Sequence, residues 1–300
     1  MSNEVRGTPS RVVVVAHHER TEAAALAQMA IGWLRDRGHD AWLTPADADA
    51  LELMQLAREE APTSADLLIS LGGDGTMLRA VQLLGGCPVP IIGVNVGLLG
   101  YLAEVEPPQL VTALERFFAG PEPDRGDWQI DRRMMVDVVL HRAAQGDRSD
   151  SQRWCALNEG VLEKQEAGHT VRLAVSIDEA PFTSYAADGL IVATPTGSTA
   201  YSMSARGPVV SPRHRALLVT PVAPHMLFDR SLVLDPEERV EVEVLGHRPV
   251  ALSIDGQRAA SLTEGDTVEF AASAITAEFV RFGRRRFHQI LKTKFGLSDR

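Results

Sequence analysis

Cysteine, lysine and long apolar runs are all scarce in this 300-residue chain. The two cysteines, Cys87 and Cys155, stand far apart, without CxxC spacing or a neighbouring histidine pair. That argues against a disulfide framework or a zinc site and fits a reducing, cytoplasmic setting. No apolar run approaches the ~20 residues needed to span a bilayer. Met1 to Ser10 is polar with no apolar h-region, so neither a membrane span nor a secretion signal is expected. Only Lys164, Lys292 and Lys294 are lysines, against 27 arginines, which weakens any mechanism that requires a phosphate-binding lysine. Internal repeats and low-complexity segments are absent.

What is present describes a folded protein: 45% hydrophobic and 23% charged residues, with length enough for two cores. The net charge of -10 repels phosphate backbones, so no nucleic-acid partner is expected. A small anionic substrate would need a dedicated site of backbone amides, arginine or metal.

The first third alternates strand and helix. Arg11 to Ala16 is a β-branched run suited to a buried parallel strand, and Ala23 to Arg37 is an Ala- and Leu-rich helix ended by Gly38. Ala41 to Leu43 is a short strand, Asp66 to Leu71 a strand running into a glycine loop, and Thr76 to Leu84 a helix. Val89 to Val94 is another strand and Pro108 to Phe118 another helix. The pattern predicts an α/β domain with a Rossmann-like parallel sheet over residues 1–120. After the turn-rich stretch Ala119 to Gly126, strand-like runs dominate: Met134 to Leu140, Val171 to Ile177, Leu190 to Ala193 and Val240 to Val244. They predict a mostly-β sandwich over 121–280, so the chain is α+β overall. A last helix within Arg284 to Phe295 lies in a tail, 281–300, expected to return to the first domain.

The chemistry is concentrated at Gly72-Gly73-Asp74-Gly75-Thr76, between a buried strand and a helix. Free amides and the macrodipole make such a junction an anion site. The glycines Gly72, Gly73 and Gly75 are expected to take positive φ and approach a phosphate closely, with Thr76 capping the helix. A carboxylate among phosphate-binding amides repels phosphate, so binding alone is a poor reason for Asp74. Two functional roles remain, holding Mg²⁺ against phosphates or accepting the proton of an attacking hydroxyl. The residues alone also leave open a tight turn with Asp74 as its turn or cap residue. The loop is neither a Walker A motif nor a GxGxxG fingerprint.

A second segment, Asp188-Gly189-Leu190-Ile191-Val192-Ala193-Thr194-Pro195-Thr196-Gly197-Ser198-Thr199-Ala200-Tyr201-Ser202, closely resembles the signature of NAD kinases. Three further pieces match in order: Gly93 to Leu102, Asn158-Glu159, and Thr220 to His225. The likeness spans roughly Arg11 to Phe287. The glycine loop alone is shared with diacylglycerol, sphingosine and phosphofructo-kinases, whereas the Thr194 to Tyr201 run is far more specific. The resemblance implies phosphorylation of the adenosine 2′-hydroxyl of NAD by ATP, with a divalent cation, Mg²⁺, in a cleft between the two domains. It makes Asp74 the general base, with Gly75 abutting substrate and Arg79 reaching its phosphates. Asn158 and Glu159 hold ribose and adenine, and Asp188 binds the nicotinamide end. Thr199, Ala200, Tyr201, Ser202, Met203 and Ser204 line the dinucleotide site, with Gln257 a further contact and Ala223 near the nicotinamide. His169 and Ala186 fall where relatives often carry basic residues. A homodimer or homotetramer is implied; whether inorganic polyphosphate replaces ATP, whether NADH is accepted, and the metal ligands are left open.

Departures from the pattern are Arg206, where relatives usually carry Gly, and Leu98, which replaces a commonly polar residue. His17-His18 follows the first strand, where parallel-sheet sites open, but also suits a solvated loop. His214, His225 and His288 lack metal-ligand spacing, Ser198 and Ser202 form no nucleophile elbow, and Arg284-Arg285-Arg286 reads as a solvated face. The rivals are a lipid or sphingoid-base kinase sharing the glycine loop, which would need an apolar or membrane-facing patch, and a non-catalytic NAD(P) sensor.

Overall fold

The computed structural model describes residues 10–97, 100–143, 151–283 and 287–297. Leu98 and the Arg284–Arg286 run lie outside the described residues. The chain forms two compact units, one running to Arg132 and resuming at Ala277, the other Arg133–Thr276.

The first unit alternates strand and helix: β1 (Arg11–Ala16), α1 (Thr21–Asp36), β2 (Asp40–Leu43), α2 (Pro45–Ala50), β3 (Leu67–Gly72), α3 (Asp74–Leu84), β4 (Ile91–Asn95) and α4 (Leu110–Ala119). β1 pairs in parallel with β2 and β3, and β3 with β4, in the register Val14↔Leu43, Val14↔Ile69 and Ile69↔Ile92. Strands covered on both faces read as unbroken apolar runs, which is why β1 and β3 show no alternation. α1 buries Ala23, Leu26, Ala27, Ala30, Ile31 and Leu34, a 3.6-residue stripe packed with Val12, Val14 and Ile69 in one core. The expected helix from Pro108 begins later: Pro107–Gln109 is a 3₁₀ turn and α4 starts at Leu110. Prolines suit a first turn, where the missing N–H has no partner to lose. The segment after α4 folds against it, with Arg116 Nε donating to Gly126 O and Trp128 Nε1 to Phe117 O.

β5 (Gln129–His141) leads out of the first unit. The second unit follows with β6 (Gln152–Ala156), β7 (Glu159–Lys164), β8 (Val171–Ile177), β9 (Ala180–Ala187), β10 (Gly189–Ala193) and the single turn α5 (Tyr201–Ser204). It continues with β11 (Leu217–Val222), β12 (Leu232–Leu234), β13 (Val240–Leu245), β14 (Val250–Ile254) and β15 (Gln257–Leu262). β16 (Thr267–Arg281) then carries the chain back toward α6 (Phe287–Lys294). One antiparallel sheet has the order β12-β11-β10-β7-β14-β15; in the other, β16, β13, β8 and β9 are neighbours. Leu162, Leu190, Val192, Val219 and Leu252 of the first share a core with Leu173, Val175, Val240, Val242 and Phe270 of the second, the packing of a sandwich. The opposite face of β10 is buried as well, Ile191 and Ala193 packing with Val161 and Leu218, so β10 is apolar throughout. Cys87 and Cys155 are free, and among the described residues no helix is long and apolar enough to cross a membrane.

Candidate active site

β3 ends at Gly72 and α3 begins at Asp74, with Gly73 as N-cap. Thr76 is therefore not the cap; it is buried within the first helical turn. None of Gly72, Gly73 and Gly75 has positive φ, contrary to expectation. Gly72 is glycine for another reason: a Cβ there would meet Thr76 Oγ1 at 2.1 Å. Around Gly73 and Gly75 a Cβ would meet nothing within 4 Å, leaving open space over the helix start. The loop stays narrow so that the helix can begin at once, with its amides directed at whatever occupies that space.

Asp74 is more than a turn residue. Its two carboxylate oxygens accept from the Tyr101 and Leu102 amides, each at 2.9 Å. These donors belong to the return loop after β4, where the Asn95 amide donates to Val105 O and the Val96 amide to Gly72 O. Gly100 is required because a Cβ there would stand 2.3 Å from Asp74 Oδ1. Tyr101 and Leu102, at the end of the motif that starts at Gly93, thus clamp the carboxylate. Each oxygen keeps a lone pair for a further donor or a cation.

Arg79 is directed elsewhere. Its Nη2 donates to Asp47 Oδ1 and to Ala16 O, both at 2.5 Å, and Nη1 lies 2.7 Å from His18 Nε2. Asp47 is fully buried and also accepts from Thr44 Oγ1 at 2.5 Å, with His18 Nε2 at 3.0 Å from Oδ1. A guanidinium and an imidazole are therefore gathered at the carboxyl end of β1. Arg20 lies against Gly97, φ +117°, where a Cβ would stand 1.7 Å from its Nη1. Neither Asp47 nor Arg20 stands out in the sequence: Pro45–Ala50 offers Asp47 and Asp49 alike, with no motif to separate them.

In the second unit, Asn158-Glu159 is organised by Asp255. Its carboxylate accepts from the amides of Leu157 at 2.8 Å, Asn158 at 2.7 Å and Glu159 at 3.1 Å. Asp255 and Gly256 both have positive φ between β14 and β15, the mark of a type I′ hairpin turn. That Asp-Gly signal was in the sequence; its partner 96 to 98 residues away was not. Glu159 is 5% exposed and its Oε2 has no hydrogen-bond partner. Burial, reinforced by the Asp255 charge, pushes its carboxyl up to about 8. Burial raises Asp255 as well, against the pull of its three amide donors. At neutral pH Glu159 is thus mainly a protonated carboxyl, both donor and acceptor.

The Thr194 to Ser202 run lies on this turn. The Thr194 amide donates to Asn158 O at 2.8 Å, Thr194 Oγ1 to Leu157 O at 2.6 Å, and a Cβ on Gly197 would meet Asn158 O at 2.2 Å. Thr199, Ala200 and Met203 are half-buried, and Tyr201 and Ser204 exposed. Ser202 is fully buried, with its hydroxyl 3.2 Å from Thr220 Oγ1. Gln257 is exposed at the start of β15, two residues after Asp255. A second group forms at the ends of β9, β10 and β11. Asp188 Oδ1 is 2.7 Å from Lys164 Nζ, its amide donates to Val222 O beside Ala223, and the His225 amide donates to Ala186 O. His169 is exposed on the turn after β7, outside both groups. Arg206 takes φ +66°, the left-handed region glycine enters without strain, which gives the usual Gly there a physical reason.

Among the described residues no group of three or more His, Cys, Asp or Glu could hold a metal ion. A single carboxylate such as Asp74 suits a cation that arrives coordinated by a triphosphate, since Mg²⁺ takes one or two carboxylates plus substrate phosphates.

Comparison with known proteins gives a consistent result. Residues 12–122 match the ATP-NAD kinase N-terminal domain and residues 157–282 the ATP-NAD kinase C-terminal domain. An NAD kinase of Syntrophotalea carbinolica is 34% identical over 97% of this chain and 99% of its own. NAD kinase 2 of Streptomyces coelicolor is 37% identical over 95% of this chain and 94% of its own. The fold matches yeast NADH kinase complexed with NADH, with a TM-score of 0.87 at 24% identity, over 98% of this chain and 90% of that one. It also matches an NAD kinase from Archaeoglobus fulgidus in complex with ATP, with a TM-score of 0.68 at 25% identity, over 95% of this chain and 97% of that one. The chain belongs to the ATP-NAD kinase family.

Proposed function

We propose that this protein is an NAD kinase, transferring the γ-phosphoryl group of ATP to the 2′-hydroxyl of the adenosine ribose of NAD to give NADP and ADP. The observation that carries the reading is the Asp74 carboxylate, held by two amides at 2.9 Å at the start of α3, beside glycines with open space over them. Asp74 takes the 2′-hydroxyl proton as that oxygen attacks the γ-phosphorus in line. The bond from the γ-phosphorus to its bridging oxygen breaks, and ADP leaves with the electron pair. The amides at the start of α3, Gly73 to Gly75, and the positive end of that helix stabilise the charge spread over the transferring group, the Thr76 amide being turned to Gly73 O. A divalent cation entering with the triphosphate supplies further neutralisation there. Asn158 and Glu159 hold the ribose and adenine: a protonated Glu159 can both donate to and accept from a diol or a purine edge. Gly75, His169, Ala186, Asp188, Thr199 to Tyr201, Met203, Ser204, Ala223 and Gln257 complete the proposed NAD contacts; Arg79 and Ser202 join them only by exchanging the Asp47 and Thr220 partners that hold them. The working form is a cytoplasmic homodimer or homotetramer; light scattering that shows only a fully active monomer refutes that part.

Incubation with ATP, Mg²⁺ and NAD, followed by assay for NADP, tests the activity. Asp74→Asn is expected to lower kcat about 10²–10⁴-fold while NAD binding survives. Near-wild-type kcat in that variant sinks the base assignment. Saturable NAD binding without product identifies a sensor, and transfer to a sphingoid base or diacylglycerol instead identifies the lipid-kinase rival.

A further inference from the structure

Three lysines against 27 arginines gave lysine little weight in the sequence, yet two of the three meet carboxylates assigned above to the site. Lys164 pairs with Asp188, and Lys294, from the last turn of α6, approaches Asp74. Lys294 Nζ lies 4.0 Å from Asp74 Oδ2 and 3.9 Å from the centroid of the Tyr101 ring. Tyr101 is also the residue whose amide clamps Asp74.

We propose that Lys294 contacts the phosphoanhydride chain of the phosphoryl donor as it enters the Gly72–Thr76 loop. The proposal rests on the phosphoryl-transfer reading of that loop. At 4.0 Å the ammonium is ion-paired with Asp74 but beyond hydrogen-bond length, so that carboxylate consumes none of its three N–H donors. The ring face holds the charge without using a donor either. The ammonium is thus fixed in place with its protons available to a third acceptor. The hydroxyl of the same Tyr101 side chain is buried without a hydrogen-bond partner. A polyanion needs such a cation here, because Asp74 repels it and the chain carries a net charge of -10. The loop itself contributes only neutral amides, and Arg79 is already engaged by Asp47, Ala16 O and His18. Lys294 and Asp74 are 27% and 33% exposed, open enough to receive a ligand from solvent. The bland alternative is that Lys294 only ties α6 to the loop and complements its own helix dipole.

The two readings separate when binding and turnover are measured together. Dissociation constants for ATP and for inorganic tripolyphosphate, without NAD, are measured by calorimetry on the full chain. They are compared for wild type, Lys294→Met, Lys294→Arg and, as a same-helix control, Lys292→Met. Steady-state kinetics and melting temperatures accompany them. Lys294→Met is expected to weaken both ligands and to lower kcat/KM for ATP by about 10–100-fold, below the usual cost of a buried oxyanion donor because the site is half-open. The KM for NAD and the melting temperature stay near wild type, the salt dependence of ATP binding flattens, and Lys294→Arg restores most of the loss. Unchanged ATP and tripolyphosphate binding in Lys294→Met overturns the proposal, whether or not its melting temperature falls. So does a loss confined to ATP, which would put the contact on the nucleoside. If wild type makes no NADP while ATP binding still depends on Lys294, the activity fails and this contact stands. If NADP forms and Lys294→Met behaves as wild type, the contact fails and the activity stands.

Discussion

Substituting Gly100 by alanine tests the clamp on Asp74 without touching the carboxylate itself. The added Cβ would lie 2.3 Å from Asp74 Oδ1, 2.9 Å from Cγ and 3.3 Å from Oδ2. An ordinary carbon–oxygen approach is about 3.3 Å, so Asp74 and the loop must separate by ~1 Å. The loop cannot retreat alone, because the donors that hold Asp74 are the next two residues, Tyr101 and Leu102. Lengthening both 2.9 Å bonds by that amount takes them out of hydrogen-bond range. Hydrogen bonds to a charged group contribute about 1.5–3 kcal/mol each, so the variant should also lose stability measurably. A ~1 Å misplacement of a reacting group costs on the order of 10²-fold in rate. The expected result is kcat for NADP formation down about 100-fold, with KM for ATP and NAD changed far less. Because Gly100 acts through Asp74, adding Gly100→Ala to Asp74→Asn should cost little more than Asp74→Asn alone. Wild-type kcat in Gly100→Ala, or fully multiplicative losses in the double variant, would refute the clamp.

Glu159 titrates near 8 in the folded protein against a usual value of 4.5, so the native state holds the extra proton between those limits. Its contribution to stability therefore falls as pH rises through that window, by a few kcal/mol at most. Glu159→Gln should lose less stability than wild type between pH 5 and pH 8 in denaturant titrations; identical slopes would remove the assignment. Asp47→Asn should lower stability by about 1–3 kcal/mol, since Arg79 loses its buried charge partner and the Thr44 cap its acceptor. An unchanged urea midpoint would count against that network.

Much of the fold was legible locally. Residues Arg11–Ala16 and Val171–Ile177 are strands with the expected limits, because β-branched runs bounded by polar residues carry their own signal. The glycine loop was legible as a strand-to-helix junction, but the reason for each glycine was not. Gly72 answers to Thr76 and Gly100 to Asp74, and steric demands from a side chain elsewhere leave no trace in local composition. Likewise the burial of the Ser202 hydroxyl against Thr220 depends on β11 packing beside it, which local composition does not record.

The sequence by itself determined the two kinds of domain, the position of Asp74 at a helix start, and the motifs that place the chain in its family. Periodicity, turn chemistry and motif spacing are properties of neighbouring residues, so they survive in one dimension. Only the tertiary structure decided what holds each functional carboxylate. Asp74 is clamped from 27 and 28 residues away, the Asn158-Glu159 turn is ordered by Asp255 from 96 and 97, and Arg79 is held by Asp47 from 32. Each is a contact between an ordinary-looking residue and a distant one. The hydrogen bond forms because packing of the sheets brings donor and acceptor together and shuts water out, and that convergence is not encoded at either end alone.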